Sequence, residues 1–242
     1  MLSTVLSIER TVRNAQRLLV ISGAGVSAES GIPTFRDPDG WWKTYRPEEL
    51  ATLEAFKRDP VEVWRWYDMR RAIVARAQPN LAHRAFGRAE ASGRRVAIIT
   101  QNVDDLHERA GSREVIHVHG SIWQLQCTVD GTVFEDRRVP LPVLPPHCPC
   151  GHLARPNVVW WDEELDLAVT ARVNTLLDEP FEVVLAVGTE ATFDYVREWA
   201  LRAKARGAVL VEVNPRATAL TADSDARIPG KAAEVLDGIL AA

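Results

Sequence analysis

With 242 residues, 46% hydrophobic and 26% charged, the chain has the makeup of a globular protein of one large domain, or of one domain carrying an inserted module. A formal net charge of -4 excludes broad electrostatic binding to nucleic acid, which needs clustered Lys and Arg. No run reaches the roughly 18 apolar residues of a membrane span and residues 1–17 lack a signal-peptide core, so a cytoplasmic location is expected.

In chain order, residues 1–17 mix charged and apolar residues at helical spacing. Leu18–Ser22 follows as an apolar run of buried-strand length. Then comes a loop, residues 23–37, in which Gly23, Gly25 and Ala28 fit the G-x-G-x-x-G/A spacing of a pyrophosphate turn. Glycine lets such a backbone turn sharply and approach a ligand closely. Many dinucleotide loops share that spacing. The tail, Ile32 to Asp37, is more specific: an ordinary loop would run straight into a helix, whereas this one stays irregular and carries Phe35, Arg36 and Asp37 over whatever is bound.

Residues from about 38 to 90 contain no clear strand, carry Trp41, Trp42, Trp64, Trp66 and Tyr67, and read as a small helical insertion. Within it Tyr67 and Arg70 stand three apart on one helix face. A phenol and a guanidinium facing the same way make a fork for a carboxylate, although a surface Arg beside a buried Tyr has the same spacing. Further apolar runs lie at Val96–Thr100, Val115–Val118, Val183–Val187 and Ala208–Val213, with helix-like stretches between several of them. That alternation predicts a parallel, doubly wound α/β sheet. Ligands of such sheets bind at the carboxyl ends of strands. Gly23, Gln101 with Asn102, His119 with Gly120, Gly188 with Thr189, and Asn214 with Pro215 all fall there.

Asn102 and Asp104 suit an Asx-turn or helix cap and equally a sugar site, where an amide and a carboxylate bind ribose hydroxyls. Period 2 puts His117 and His119 on one strand face. His119, immediately before Gly120 at the strand end, is the better placed base, with an ordinary pKa near roughly 6.5; His117 reads as structural. Residues 121–161 hold Cys127, Cys148, Cys150 and a Pro cluster, and read as a metal-ribbon-like insertion. Three cysteines cannot make an even disulfide framework, which points to metal. The second ligand pair is a shortened C-x-C. The first lacks its partner, because Asp130 stands where Cys would. His147 lies three residues before Cys150. Candidate ligands are therefore Cys127, Asp130, His147, Cys148 and Cys150, against a degenerate ribbon that binds none.

Residues 23–37, Gln101 to Asp104, His119 with Gly120, Arg155 to Trp160, and Val213 to Pro215 resemble, in order and spacing, the motifs of the sirtuins, NAD-dependent protein lysine deacylases. The likeness covers residues 15–240. It implies a Rossmann-type core (1–38, 91–120, 162–242), a helical module (39–90) and a zinc-ribbon module (121–161) in one domain. It also implies zinc and NAD, the latter as a consumed co-substrate. Carried over, Gly23, Ala24, Gly25, Ala28, Glu29, Phe35, Arg36 and Trp42 fall in the NAD-binding stretch. Gln101, Asn102, Val103 and Asp104 fall on the nicotinamide-ribose side. Gly188, Thr189, Asn214, Pro215 and Ala232 match adenosine-side positions. His119 matches the general base, with Asn102 and Asp104 beside it in the catalytic group. Val158, Val159, Trp160 and Trp161 match the strand that pairs with a substrate peptide.

Tyr67 and Arg70 resemble the Tyr-x-x-Arg pair of class III sirtuins, which favour succinyl and malonyl groups. The expected partner is acylated lysine in proteins, not nucleic acid or membrane, with the chain acting as a monomer. Three departures from the family pattern stand out: the incomplete cysteine set, Glu190 where Ser follows Gly-Thr, and Asp162 where Gly is usual. An NAD glycohydrolase or ADP-ribosyltransferase, a hydride-transferring dehydrogenase and a non-catalytic NAD-binding module are the rival readings. The dehydrogenase lacks its acidic ribose partner after a second strand.

Overall fold

The computed structural model describes residues 2–34 and 47–240. In chain order its elements are α1 (Leu2–Asn14), β1 (Arg17–Ser22), α2 (Gly25–Ala28), α3 (Pro47–Leu50), α4 (Leu53–Arg58), α5 (Pro60–Arg76), α6 (Leu81–Ala91), β2 (Arg95–Thr100), α7 (Leu106–Arg109) and β3 (Glu114–His117). Then follow β4 (Gly120–Cys127), β5 (Val133–Glu135), β6 (Ala154–Val158), α8 (Leu167–Leu177), β7 (Val183–Val187), α9 (Asp194–Ala205), β8 (Val209–Val213), β9 (Ala226–Ile228) and α10 (Ala232–Ile239).

Six strands form one sheet in the order β3-β2-β1-β7-β8-β9, every pair parallel. This is the Rossmann-like α/β architecture that the apolar runs predict. All five residues of β7 and five of the six in β1 are buried. Such continuous runs are what a sheet covered on both faces requires. Leu18 and Val20 enter one core with α6 and α10, while Leu19 and Ile21 enter another with α8 and α9. The order runs outward from β1 to β3 and resumes at β7 on the other side of β1. β1 and β7 therefore flank the switch point, where such sheets bind ligands.

Three elements depart from the sequence expectation. The sixth strand, β9, is three residues long and contains Arg227, so it lacks an apolar run. β3 ends at His117, so the period-2 argument does not extend to His119. The apolar face of α6, with Ala82, Ala85, Phe86 and Ala89, packs in the sheet core. It therefore lies on the Rossmann side of the boundary expected at residue 90.

The second sheet is antiparallel, β5-β4-β6, and shares a core with α4 and α5 through Phe56, Trp64, Tyr67, Ile122 and Trp160. Helix α5 starts at a built cap: Asp59 accepts from Glu62 N and Pro60 occupies the first position, where a missing N–H is harmless. Its Arg71, fully buried, donates to the carbonyls of Ile122 (2.8 Å), Asp136 (2.5 Å) and Arg138 (3.1 Å). That fork bolts the helical insertion to the small sheet. No helix among the described residues is long and apolar enough to cross a membrane.

Candidate active site

The loops after β1 and β7 are zipped together. Gly23 N donates to Val187 O at 3.1 Å, Gly25 N to Gly188 O at 2.9 Å, and Gly188 N to Val213 O at 3.1 Å. A Cβ on Gly25 would lie 2.8 Å from the Gly188 backbone, and one on Gly23 2.9 Å from Gly188 O and Thr189. Gly188 itself takes φ +57°, a left-handed conformation that favours glycine. The sequence demand for glycine is thus a close approach of two strand ends, which leaves bare backbone lining the switch-point crevice. Ala24 caps the short α2 and Ala28 is its last residue. The Glu29 carboxylate accepts from Ala233 N at 2.8 Å, tying this loop to the start of α10, where Ala232 sits. Phe35, Arg36 and Trp42 lie outside the described residues.

Beneath the loop is a buried polar network. Ser27 Oγ donates to Asp104 Oδ2 at 3.0 Å and accepts from Asn102 Nδ2 at 3.1 Å. Asp104 Oδ1 accepts from Leu106 N at 3.1 Å, so the carboxylate also makes the turn that its residue type favours. Burial raises its pKa, and the bonds from Leu106 and Ser27 oppose that rise. Ser22 Oγ donates to Thr100 Oγ1 at 2.9 Å and lies 3.0 Å from His107 Nε2. His83 Nε2 is 3.4 Å from Ser27 Oγ, and the rings of His83 and His107 are 4.9 Å apart. Burial pushes His83 down to about 4 and His107 well below its ordinary value, so both are neutral. Sequence reasoning passed over this pair; the available signal is His83 on the apolar face of α6.

His117 and His119 have opposite environments. His117 Nδ1 is 2.9 Å from Asn102 O and its Nε2 is 2.5 Å from Glu108. Burial works against its charge, but Glu108 wins and the pKa is raised. His117 thus faces a charged groove with Glu108, Arg137, Arg155 and Glu163, which His119 and the glycine loop do not line. His119 Nδ1 is 2.9 Å from Gln101 O and its Nε2 is 2.6 Å from Tyr195 Oη. Burial pushes its pKa down to about 4 despite the Gln101 carbonyl. It is a neutral imidazole at pH 7, as a base must be. Phe193 meets its ring edge-on at 5.8 Å, and Trp161, half exposed, packs 5.7 Å from Phe193.

Thr189 ties the remaining strand ends. Its Oγ1 accepts from Gln101 Nε2 at 2.8 Å and from Ala191 N at 3.1 Å, and its carbonyl accepts from Asn214 Nδ2 at 3.1 Å. Ala191 takes φ +50° while buried, a strained conformation of the kind concentrated at functional sites. Glu190 Oε1 lies 4.0 Å from Arg216 Nη2. Pro215 O accepts from Arg227.

Across from these, Tyr67 is buried and its Oη accepts from Trp160 Nε1 at 2.9 Å. The Arg70 guanidinium lies over the rings of Trp66 (4.6 Å) and Tyr67 (5.2 Å). Burial lowers its pKa, while the fields of Tyr67 and of Asp104 in the polar network favour its charge. On the next strand Val158 pairs with Gly120, Val159 N donates to His119 O at 3.0 Å, and Trp161 N donates to Ala51 O at 3.1 Å. Asp162 accepts from Leu53 N with both oxygens, at 3.0 and 2.9 Å, so the residue in place of Gly fastens this loop to α4. Val103 lies between the network and the small sheet, its carbonyl accepting from Ile122 N at 2.9 Å.

Cys127, Cys148 and Cys150 place their sulfurs within 4.8 Å of one another. Cys127 Sγ is 3.4 Å from Cys148 and 3.6 Å from Cys150. The structure pairs Cys148 with Cys150, where the odd cysteine count pointed away from a disulfide; two thiols separated by one residue and folded onto Cys127 meet each other as readily as a metal. With that pair reduced, the three converging sulfurs would supply three corners of a tetrahedral thiolate site. Asp130 and His147 fall outside that cluster: Asp130 Oδ1 accepts from Thr132 N, and His147 bridges to Leu153.

Residues 23–194 match the Sir2 family. The NAD-dependent protein deacylase 1 of Archaeoglobus fulgidus is 47% identical over 232 residues, 96% of this chain and 94% of that protein. The NAD-dependent protein deacylase of Aquifex aeolicus is 45% identical, over 89% of this chain and 90% of its own. Among solved structures, a Sir2 homologue in complex with NAD superposes with a TM-score of 0.90 at 46% identity, over 97% of this chain and 92% of that one.

Proposed function

The chain belongs to the Sir2 family of NAD-dependent protein deacylases, and from that premise we propose that it removes succinyl and malonyl as well as acetyl groups from lysine, with Tyr67 and Arg70 holding the acidic acyl chain. The observation that carries this reading is the placement of the pair. A phenol fixed by Trp160 and a guanidinium laid over Trp66 stand on one helix beside the strand that leads to Trp161. Arg70 also feels the charge of Asp104 in the network under the glycine loop. A partly buried guanidinium binds a carboxylate far more strongly than it binds a methyl group.

NAD is the co-substrate, and the loop geometry suits it. Two strand ends stripped of Cβ atoms let a pyrophosphate come close to bare backbone at the crevice. In our reading Asn102 and Asp104 hold the nicotinamide ribose, and Thr189 and Asn214 the adenosine side. The amide oxygen of the acyl-lysine attacks the nicotinamide ribose and nicotinamide leaves. His119, a neutral imidazole, then takes the proton of a ribose hydroxyl as that oxygen bonds to the acyl carbon. Lysine and O-acyl-ADP-ribose are the products. Val158 to Trp161 form the edge on which the substrate peptide lies. With Cys148 and Cys150 reduced, Cys127, Cys148 and Cys150 would hold zinc, which supplies a structural tie.

The test compares acetyl, malonyl and succinyl peptides of one sequence with NAD. We expect kcat/KM for succinyl and malonyl peptides to exceed that for acetyl, and Arg70→Met to erase the difference. Equal rates on all three sink the acyl assignment. Retained deacylation in His119→Tyr removes His119 as base.

A further inference from the structure

His119 is held from both nitrogens. A carbonyl oxygen only accepts, so the bond to Gln101 O requires the proton on Nδ1 and leaves a lone pair on Nε2. Tyr195 Oη, 2.6 Å from Nε2, is then the donor. The atom that has to take a proton from ribose already holds a hydroxyl. That hydroxyl is not free to swing away. Phe193 stacks on the Tyr195 ring at 5.3 Å and 10°, and Trp199 packs on it at 5.0 Å. The phenol oxygen, having donated its own proton to His119, keeps lone pairs for a second hydroxyl.

Accepting His119 as the base, we propose that Tyr195 is a second catalytic residue, a proton relay that stands between the ribose hydroxyl and His119. In one step the ribose O–H bond breaks as its oxygen bonds to the acyl carbon. The released proton passes to the Tyr195 oxygen, and the phenol's own proton passes to Nε2. Tyr195 ends as it began, and the imidazolium returns its proton to the departing lysine amine. Burial raises the Tyr195 pKa, which suits a group that passes a proton on without holding the charge.

The experiment measures deacylation and the exchange of labelled nicotinamide into NAD for the full-length enzyme, Tyr195→Phe, His119→Ala and the double variant. Exchange reports the step before any proton is taken. We expect Tyr195→Phe to lower kcat for deacylation about 100-fold while exchange stays within about twofold, and the double variant to be no slower than His119→Ala. Deacylation by Tyr195→Phe at or above the unmodified rate overturns the relay, because the phenol is then displaced by the ribose. Loss of exchange together with deacylation also overturns it, because the phenol then shapes the NAD site. Retained deacylation in His119→Ala would instead defeat the base assignment on which the relay rests.

Discussion

On the sheet side of the crevice Ser27, Asn102, Asp104, Gln101 and Thr189 are hydrogen-bonded to one another and to backbone before any ligand enters, whereas on the module side Tyr67, Arg70 and Trp160 meet largely through ring faces, with an indole–phenol bond between Trp160 and Tyr67. The first surface is preorganised: these five side chains already have partners, and the glycine loops interlock at backbone distance. A change there disturbs several bonds at once. The second is assembled from separate elements, and its side chains pack chiefly through rings. Changes there should alter which acyl group is held and leave the handling of NAD alone. The contrast separates a surface fit for one constant co-substrate from a surface that can be retuned.

The sharpest way to break that contrast is Gly25→Ala. Its Cβ would stand 2.8 Å from the Gly188 backbone, so one loop must move. NAD affinity measured by calorimetry should fall at least about 100-fold, with a melting temperature lower by roughly 2–10 °C. Unchanged NAD binding would mean the interlock is incidental. Arg70→Met comes next: it should cost about 10- to 100-fold in kcat/KM on succinyl peptide, the range of a charged hydrogen bond, and leave acetyl kcat/KM within about threefold. A fall on both substrates would merge the two surfaces into one.

A third test uses pH. His83 and His119 are held down to about 4 and His107 well below 6.5. Each is neutral in the fold and protonates in the unfolded chain below about 6.5. Their stabilisation is therefore full above pH 6.5 and is lost as pH falls through about 4. Asp104 and His117, both raised, act in the opposite sense. The urea midpoint should drop between pH 6.5 and 4, and less steeply in His83→Leu. The smallest effect is expected from Asp162→Gly, which frees Leu53 N. KM for peptide should shift about two- to threefold with KM for NAD unchanged in steady-state assays.

Much of the sheet was legible because strands buried on both faces must be largely apolar, as β1, β2, β7 and β8 are; β3 carries the shorter signal of Val115 and Ile116. β9 escaped because three residues including an Arg carry no such signal. The glycine loop was legible because a close backbone approach demands residue types that nothing else explains. The buried histidines were not. His83 meets Ser27 across 56 positions and His107 meets Ser22 across 85, and no local pattern records those meetings. Nor did local spacing place α6 on the large sheet rather than with the helical insertion: its apolar stripe would serve either.

By itself, then, the sequence determined the parallel sheet, the crevice at its carboxyl edge and the residues offered there, because strand burial and glycine geometry are local constraints written in residue type. Only the tertiary structure decided how His119 is held. The phenol on its Nε2 comes from 76 positions away, and its place depends on how α9 packs against the sheet. It likewise decided that Asp162 fastens the peptide edge to α4 and that Glu29 reaches α10, since a side chain's partner is fixed by packing and not by its neighbours in the chain.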